Sequence, residues 1–194
     1  MSQQVEDIFR EAGAILEGHF ELTSGLHSPV YWEKFRVLSS PPHVERLCRI
    51  VAQQFRGEHV DLVAGPTVGG IIIAFEVAKQ MGTKAIYAER AEDGRDFRRG
   101  LTINRGDRVL VVDDVLTTGS STLEVVKAVE RYGGSIAGVA VLVDRSPGGV
   151  AAVGRYPLFS CHRSSTPTYS PEECPLCAQG VPLTKPGSSQ PRLS

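Results

Sequence analysis

The sequence predicts an α/β fold with a mainly parallel central sheet flanked by helices. Three observations predict it. Short aliphatic runs recur at residues 60–64, 109–112 and 136–143, and such runs suit strands buried on both faces. Segments with helical periodicity separate them, which is the alternation that gives a parallel sheet with right-handed crossovers. Glycine- and hydroxyl-rich loops follow two of the runs, at the strand ends where ligands of such sheets bind.

Taken in order, residues 3–16 read as an amphipathic helix. Val5, Ile8, Phe9, Ala12, Ile15 and Leu16 follow the i, i+3, i+4, i+7 spacing, and Gly18 ends it. The segment 18–31 alternates roughly and carries a Ser-Gly turn, so it reads as a short hairpin, a hood over something. His19 and His27 lie in it without a second ligand at helical spacing and read as surface or hydrogen-bonding residues. Pro41-Pro42 can open a helix, with Val44, Leu47, Cys48, Val51 and Phe55 on one apolar face. Cys48 there is core rather than nucleophile.

The run 60–64 ends in Gly65-Pro66-Thr67-Val68-Gly69-Gly70, and a helix follows over 71–81. Glycines at a strand–helix junction allow close backbone approach to a ligand, although a tight packing turn would use them too. Residues 84–88 form a short strand. Residues 89–106 are charged, with three glycines and five arginines. They read as a solvated hairpin, or as a loop that closes on a polyanion, mobile until it does so.

The strand 109–112 meets two carboxylates, Asp113 and Asp114. Burying an acidic pair is costly unless cations or donors meet it. Thr117-Thr118-Gly119-Ser120-Ser121 then opens a helix to about residue 132, and a helix N-terminus of this texture is an anion site. An ordinary βα unit with a hydroxyl N-cap would share these residues. Gly133-Gly134 closes the helix, the strand 136–143 ends in Asp144-Arg145-Ser146, and 156–161 is the last strand. From residue 164 the texture changes to an extended, proline-rich tail: six of twelve prolines lie in 167–194, with Gly187-Ser188-Ser189 near the end. Cys174-Pro175-Leu176-Cys177 is half of a zinc ribbon. Cys161 and His162 could complete a metal site only if the tail folds back.

At 194 residues and 41% hydrophobic content the chain is one domain, or one domain with a tail. A net charge of -1 argues against a phosphate-driven nucleic-acid binder. No apolar stretch approaches the roughly 18 residues of a membrane span. The N-terminus has no signal-peptide pattern, and four cysteines make no disulfide scaffold, so the cytoplasm is the expected location. Neither a P-loop nor a G-x-G-x-x-G fingerprint is present.

The stretch Val-Leu-Val-Val-Asp-Asp-Val-Leu-Thr-Thr-Gly-Ser-Ser-Thr, residues 109–122, resembles the signature of the type I phosphoribosyltransferases, which bind phosphoribosyl pyrophosphate (PRPP). The hood pattern Gly18-x-Phe20-x-Leu22-x-Ser24-Gly25-x-x-Ser28-x-x-Tyr31 resembles that of orotate phosphoribosyltransferases, and the resemblance covers nearly the whole chain. It implies a phosphoribosyltransferase domain over 1–163, with a base-covering segment 1–36, and a C-terminal tail over 164–194.

The implied reaction is orotate plus PRPP giving orotidine 5′-monophosphate and pyrophosphate, in pyrimidine synthesis. Asp113 and Asp114 would hold the ribose hydroxyls. Val115, Leu116, Thr117, Thr118, Gly119, Ser120 and Ser121 would contact PRPP and cradle its 5′-phosphate. Thr67, Val68 and Gly69 would meet the pyrophosphate. Arg90 would also contact PRPP and act with Asp113 and Asp114 in catalysis, and Arg95, Arg98 and Arg99 are candidates in the mobile loop. Thr117 and Arg145 match positions that contact orotate. Mg²⁺ would arrive with PRPP without a ligand from the protein. The active form would be a homodimer whose loop reaches the neighbour's site.

The chain departs from many members by having Thr23 and Gly69 where they have Lys, and a loop without Lys or His. It looks closer to a branch with Glu-Arg…Arg-Arg-Gly in the loop and a Cys-Pro-x-Cys tail. The rivals are a phosphoribosyltransferase for another base and a non-enzymatic PRPP sensor. The hood and Arg145 argue against the first. The lack of room for a winged helix before Gly18, and of any basic surface run, argues against the second.

Overall fold

The computed structural model describes residues 2–22, 24–146 and 153–186; Thr23 and Gly187-Ser188-Ser189 lie outside them. The chain runs α1 (Ser2–Glu11), β1 (Ile15–Glu21), β2 (His27–Trp32), α2 (Lys34–Leu38), α3 (Pro41–Gln54), β3 (Leu62–Pro66), α4 (Gly69–Met81), β4 (Lys84–Ala91), β5 (Gly94–Phe97), β6 (Arg108–Leu116), α5 (Ser120–Arg131), β7 (Ser135–Asp144), β8 (Leu158–Arg163) and α6 (Pro175–Ala178). The strand order is β5-β4-β3-β6-β7-β8, parallel except for β5, which is antiparallel to β4.

The unbroken apolar runs are explained by burial on both faces. Along β6, Leu110 and Val112 face a core with Val5, Ile8, Leu47, Val51, Ile73 and Val77, from α1, α3 and α4. Val109 and Val111 face the other way, against Val125, Val126 and Val129 of α5. A strand with a layer on each side has no solvent face for polar residues to occupy. Cys48 is fully buried in the first core, and burial pushes its thiol well above the usual range, so it is inert.

At four places the structure corrects or adds to the reading of the sequence. The first helix stops at Glu11, and the chain turns at Gly13. Ile15 and Leu16 belong to β1, where they pair with Trp32 and Tyr31; their helical spacing from Ile8 is coincidental. Gly18 therefore lies inside a strand. Second, residues 89–106 are not loosely held throughout. Residues 84–97 make the β4–β5 hairpin, Phe97 and Ile103 are buried in the second core, and Leu101 packs against it. Third, the short helix α2 went unpredicted, because five residues are too few to show a period.

Fourth, the tail folds back onto the β1–β2 hood. Tyr169 exchanges both backbone hydrogen bonds with His27 at 2.9 Å, and Thr184 bonds to Glu21 and His19 at 2.9 and 2.8 Å. This buries His19 and His27, read from sequence as surface or hydrogen-bonding residues, beneath the tail. Cys161 and His162, which could have completed a site with the tail cysteines if the tail folded back, lie elsewhere. Cys161 is in the first core with its thiol pushed up to about 12 by burial, and the His162 ring packs on Trp32 at 5.1 Å.

Candidate active site

Strand β6 does not end before its carboxylates but carries them within it, and both are buried. Asp113 pairs in register with Val141 of β7. Its Oδ1 accepts the Asp114 N–H at 2.8 Å and its Oδ2 accepts the Thr122 hydroxyl at 3.2 Å. Burial, and then the charge of Asp114, raise the Asp113 carboxyl from 3.8 to about 7. Asp114 is met differently. Its Oδ1 accepts the Val115 N–H at 2.7 Å, and Lys34 of α2 reaches both oxygens, at 2.9 and 2.8 Å. One acid is thus compensated by a cation and the other by little more than neutral donors. Two acceptors at a strand end suit a vicinal diol, whose hydroxyls both donate.

The hydroxyl- and glycine-rich loop expected to cradle a phosphate follows at once. Gly119 takes φ +78, a left-handed conformation open to glycine at little cost, and this turn starts α5 at Ser120. The first hydrogen bond across the turn is from Leu123 N–H to Gly119 O, so the N–H groups of Ser120, Ser121 and Thr122 precede the helical ladder. Thr117, Thr118 and Ser120 are exposed, and the Thr118 and Ser120 hydroxyls lie 2.9 Å apart.

The second loop, Thr67-Val68-Gly69, stands beside this one because β3 is the parallel neighbour of β6. Gly69 is required by close approach: a Cβ there would fall 1.9 Å from Asp114 Oδ2. A lysine, the common family residue, does not fit that arrangement, and Lys34 is the cation that meets the acid instead.

Arg145 comes to the same edge from the end of β7. Its N–H donates to Leu116 O at 2.8 Å, while Asp144 is buried and accepts the Ser146 hydroxyl and N–H at 2.6 and 2.8 Å. Its guanidinium is partly buried, and desolvation lowers its affinity for a proton, with Tyr31 of the hood opposing. The hood therefore reaches this edge of the sheet through Tyr31.

Four of the five arginines of residues 89–106 are candidate site residues, and they are not equivalent. Arg90 and Arg98 are exposed, and Arg99 is exposed but paired with Glu89 at 2.6 Å. Arg95, read as a mobile-loop residue, is buried. Its guanidinium donates to Thr67 Oγ1 at 3.1 Å and Ala88 O at 3.2 Å and faces Glu124 at 3.4 Å. Arg131 and Tyr132 bond Asp96 at 2.9 and 2.8 Å, which fixes β5 to the end of α5. Arg95 thus positions the Thr67 loop.

Sequence reasoning missed Lys34, Thr122 and Glu124. Thr122 lay within reach of the motif, three residues into α5. For Lys34 there was no signal, since only the fold closes the 80-residue separation from Asp114.

The phosphoribosyl transferase domain family matches residues 36–154. The chain is 47% identical over 186 residues to an orotate phosphoribosyltransferase of Pelotomaculum thermopropionicum, covering 95% of this chain and 96% of that one. It is 48% identical over 184 residues to the orotate phosphoribosyltransferase of Carboxydothermus hydrogenoformans, covering 93% and 95%. Its fold matches the Mycobacterium tuberculosis orotate phosphoribosyltransferase solved with inorganic phosphate, at TM-score 0.68 and 25% identity over 82% of this chain and 94% of that one. With the acidic pair, the two loops and Arg145 gathered at one sheet edge, the chain belongs to the orotate phosphoribosyltransferases of the phosphoribosyltransferase family.

Proposed function

We propose that the protein transfers the 5-phosphoribosyl group of PRPP to orotate, giving orotidine 5′-monophosphate and pyrophosphate. The observation that carries this is the buried Asp113–Asp114 pair beside the α5 N-terminus, with Arg145 and Tyr31 on the same edge. The 2′ and 3′ hydroxyls of the ribose donate to Asp113 and Asp114, displacing Lys34 from part of its contact. N–H groups from Gly119 to Ser121 hold the 5′-phosphate, and the Thr67–Gly69 loop meets the pyrophosphate. A ring nitrogen of orotate, having given up its readily ionised proton to solvent, attacks the anomeric carbon as the bond to pyrophosphate breaks. Carboxylates beneath the ring favour the positive charge that develops there. Arg145 takes the orotate carboxylate with parallel hydrogen bonds.

Exposed Arg90 and Arg98 offer charge to the departing pyrophosphate from the hairpin side. The donor set fits Mg²⁺ held mainly by substrate oxygens: the acids are hard ligands, but Lys34 already neutralises one of them. When bound, Mg²⁺ would offset the charge of the pyrophosphate.

The working form is a homodimer in the cytoplasm. Exposed apolar side chains support the dimer: Val68, Ile72 and Phe75 follow one another at helical spacing beside the pyrophosphate loop, and Phe35 is exposed on α2, a helix that contacts α4. Among the described residues, no helix is long and apolar enough to cross a membrane. The test is PRPP-dependent loss of orotate absorbance, with purine bases as controls. Turnover of a purine base instead would favour the other-base reading, and PRPP binding without any turnover would favour a sensor.

A further inference from the structure

We propose that His19, His27, Cys174 and Cys177 bind a structural zinc ion that staples the C-terminal tail to the hood. The four ligand atoms, one from each residue, all lie within 4.8 Å of one another. His19 Nε2 is 3.1 Å from His27 Nδ1, 3.4 Å from Cys174 Sγ and 3.7 Å from Cys177 Sγ, and Cys177 Sγ is 3.3 Å from His27 Nδ1. With Zn–N near 2.0–2.1 Å and Zn–S near 2.3 Å, a tetrahedral site has ligand–ligand edges of roughly 3.3–3.8 Å. The observed separations are close to those edges.

Hydrogen bonding alone leaves one atom of the cluster crowded. His19 Nδ1 is 2.8 Å from Val181 O, a carbonyl that can only accept, so the proton sits on Nδ1. Nε2 then presents a single lone pair, and three polar atoms crowd it. A metal-bound histidine is held in this way, its other nitrogen donating to a backbone carbonyl. Two nitrogens and two sulfurs form a closed set of four ligands, as in structural zinc sites, and leave no open position for catalysis.

The chain is built to bring the four together. Cys174 immediately precedes α6 and Cys177 lies three residues on, so one turn returns both sulfurs to one side. His19 and His27 come from paired strands of the hood. The tail is pinned on both sides of the cluster, at Tyr169 and at Thr184. Three of the four residues are buried, so the cluster is shielded from water, as closed structural zinc sites are. The hood also carries Tyr31, so the staple would hold the base-facing wall of the site without touching substrate.

The test is elemental analysis of the full-length protein purified without chelator or added metal, with Co²⁺ titration after chelation. We expect about one zinc per chain and, with Co²⁺ alone, the visible bands of a tetrahedral thiolate site. His27→Ala and Cys177→Ser should each lower zinc affinity by roughly tenfold or more, and control His59→Ala should not. The wild-type protein decides the matter even if the variants fail to fold. Purified protein without zinc that also gives no cobalt spectrum, stoichiometric iron in its place, or a Cys174–Cys177 disulfide would each overturn the proposal.

Discussion

Replacing Asp113 by Asn should stabilise the free protein at alkaline pH while abolishing turnover. The Asp113 carboxyl is raised from 3.8 to about 7 by burial and by Asp114, so the folded state holds its proton between those values and the unfolded chain does not. The sign follows from linkage: the folded state binds more protons there, so stability is highest below about pH 4 and falls as pH rises towards 7. Above pH 7 the full cost of a buried charge is present, about 4 kcal/mol at about 1.4 kcal/mol per pH unit. Relaxation and water entry reduce such costs, and about 2 kcal/mol is a working value. Asn retains an acceptor for the Asp114 N–H and can donate to the Thr122 hydroxyl, so packing survives. For a chain of this size about 2 kcal/mol raises Tm by roughly 4–8 °C. Thermal melts of both proteins without ligand, at pH 5 and pH 8, measure this. The Asn variant should gain at pH 8 and much less at pH 5. An equal loss of Tm at both values would show that Asp113 is a net structural support and refute the reasoning.

Three further outcomes follow from the same geometry. Arg145→Ala should raise the orotate KM by at least tenfold with little change in the PRPP KM, as expected from losing a charged hydrogen bond of about 1.5–3 kcal/mol; steady-state kinetics with each substrate varied would measure both, and equal effects would remove Arg145 from the base site. Phe75→Asp, on the exposed apolar face, should shift the protein towards monomer in sedimentation velocity without loss of secondary structure, and an unchanged dimer would place the interface elsewhere. Mixing an Asp113→Asn/Asp114→Asn protein with an Arg90→Ala/Arg98→Ala/Arg99→Ala protein should restore part of the activity, since a hybrid dimer holds one site with both sets intact; no recovery, with hybrids shown to form, would put the hairpin over its own subunit's site.

What the sequence disclosed and what it hid divide along a physical line. Strand β6 and its acids were legible because burial on both faces demands an aliphatic run, and a charged pair interrupting such a run must have a purpose. The glycine loops were legible because close approach and left-handed turns exclude side chains. The misreadings share another cause. Ile15 and Leu16 satisfied a helical period by chance, and only their pairing with Trp32 and Tyr31 assigns them to a strand. Arg95 looked like its neighbours in a charged loop, but partners at Thr67 and Glu124 turn it inward. Lys34 and the His19–His27–Cys174–Cys177 cluster depend on contacts across 80 and more than 140 residues. A local pattern cannot encode such a contact, because what makes it favourable is a partner that only the finished fold supplies. The tail shows this most clearly. Its prolines read as an extended tail without showing what that tail would cover: proline removes a donor and fixes φ, and an extended segment with free carbonyls is well suited to add backbone bonds along the edges of a two-stranded hood. A chain segment that forms no core of its own can therefore still be ordered, provided that the edge it covers and the side chains it delivers there stabilise it together.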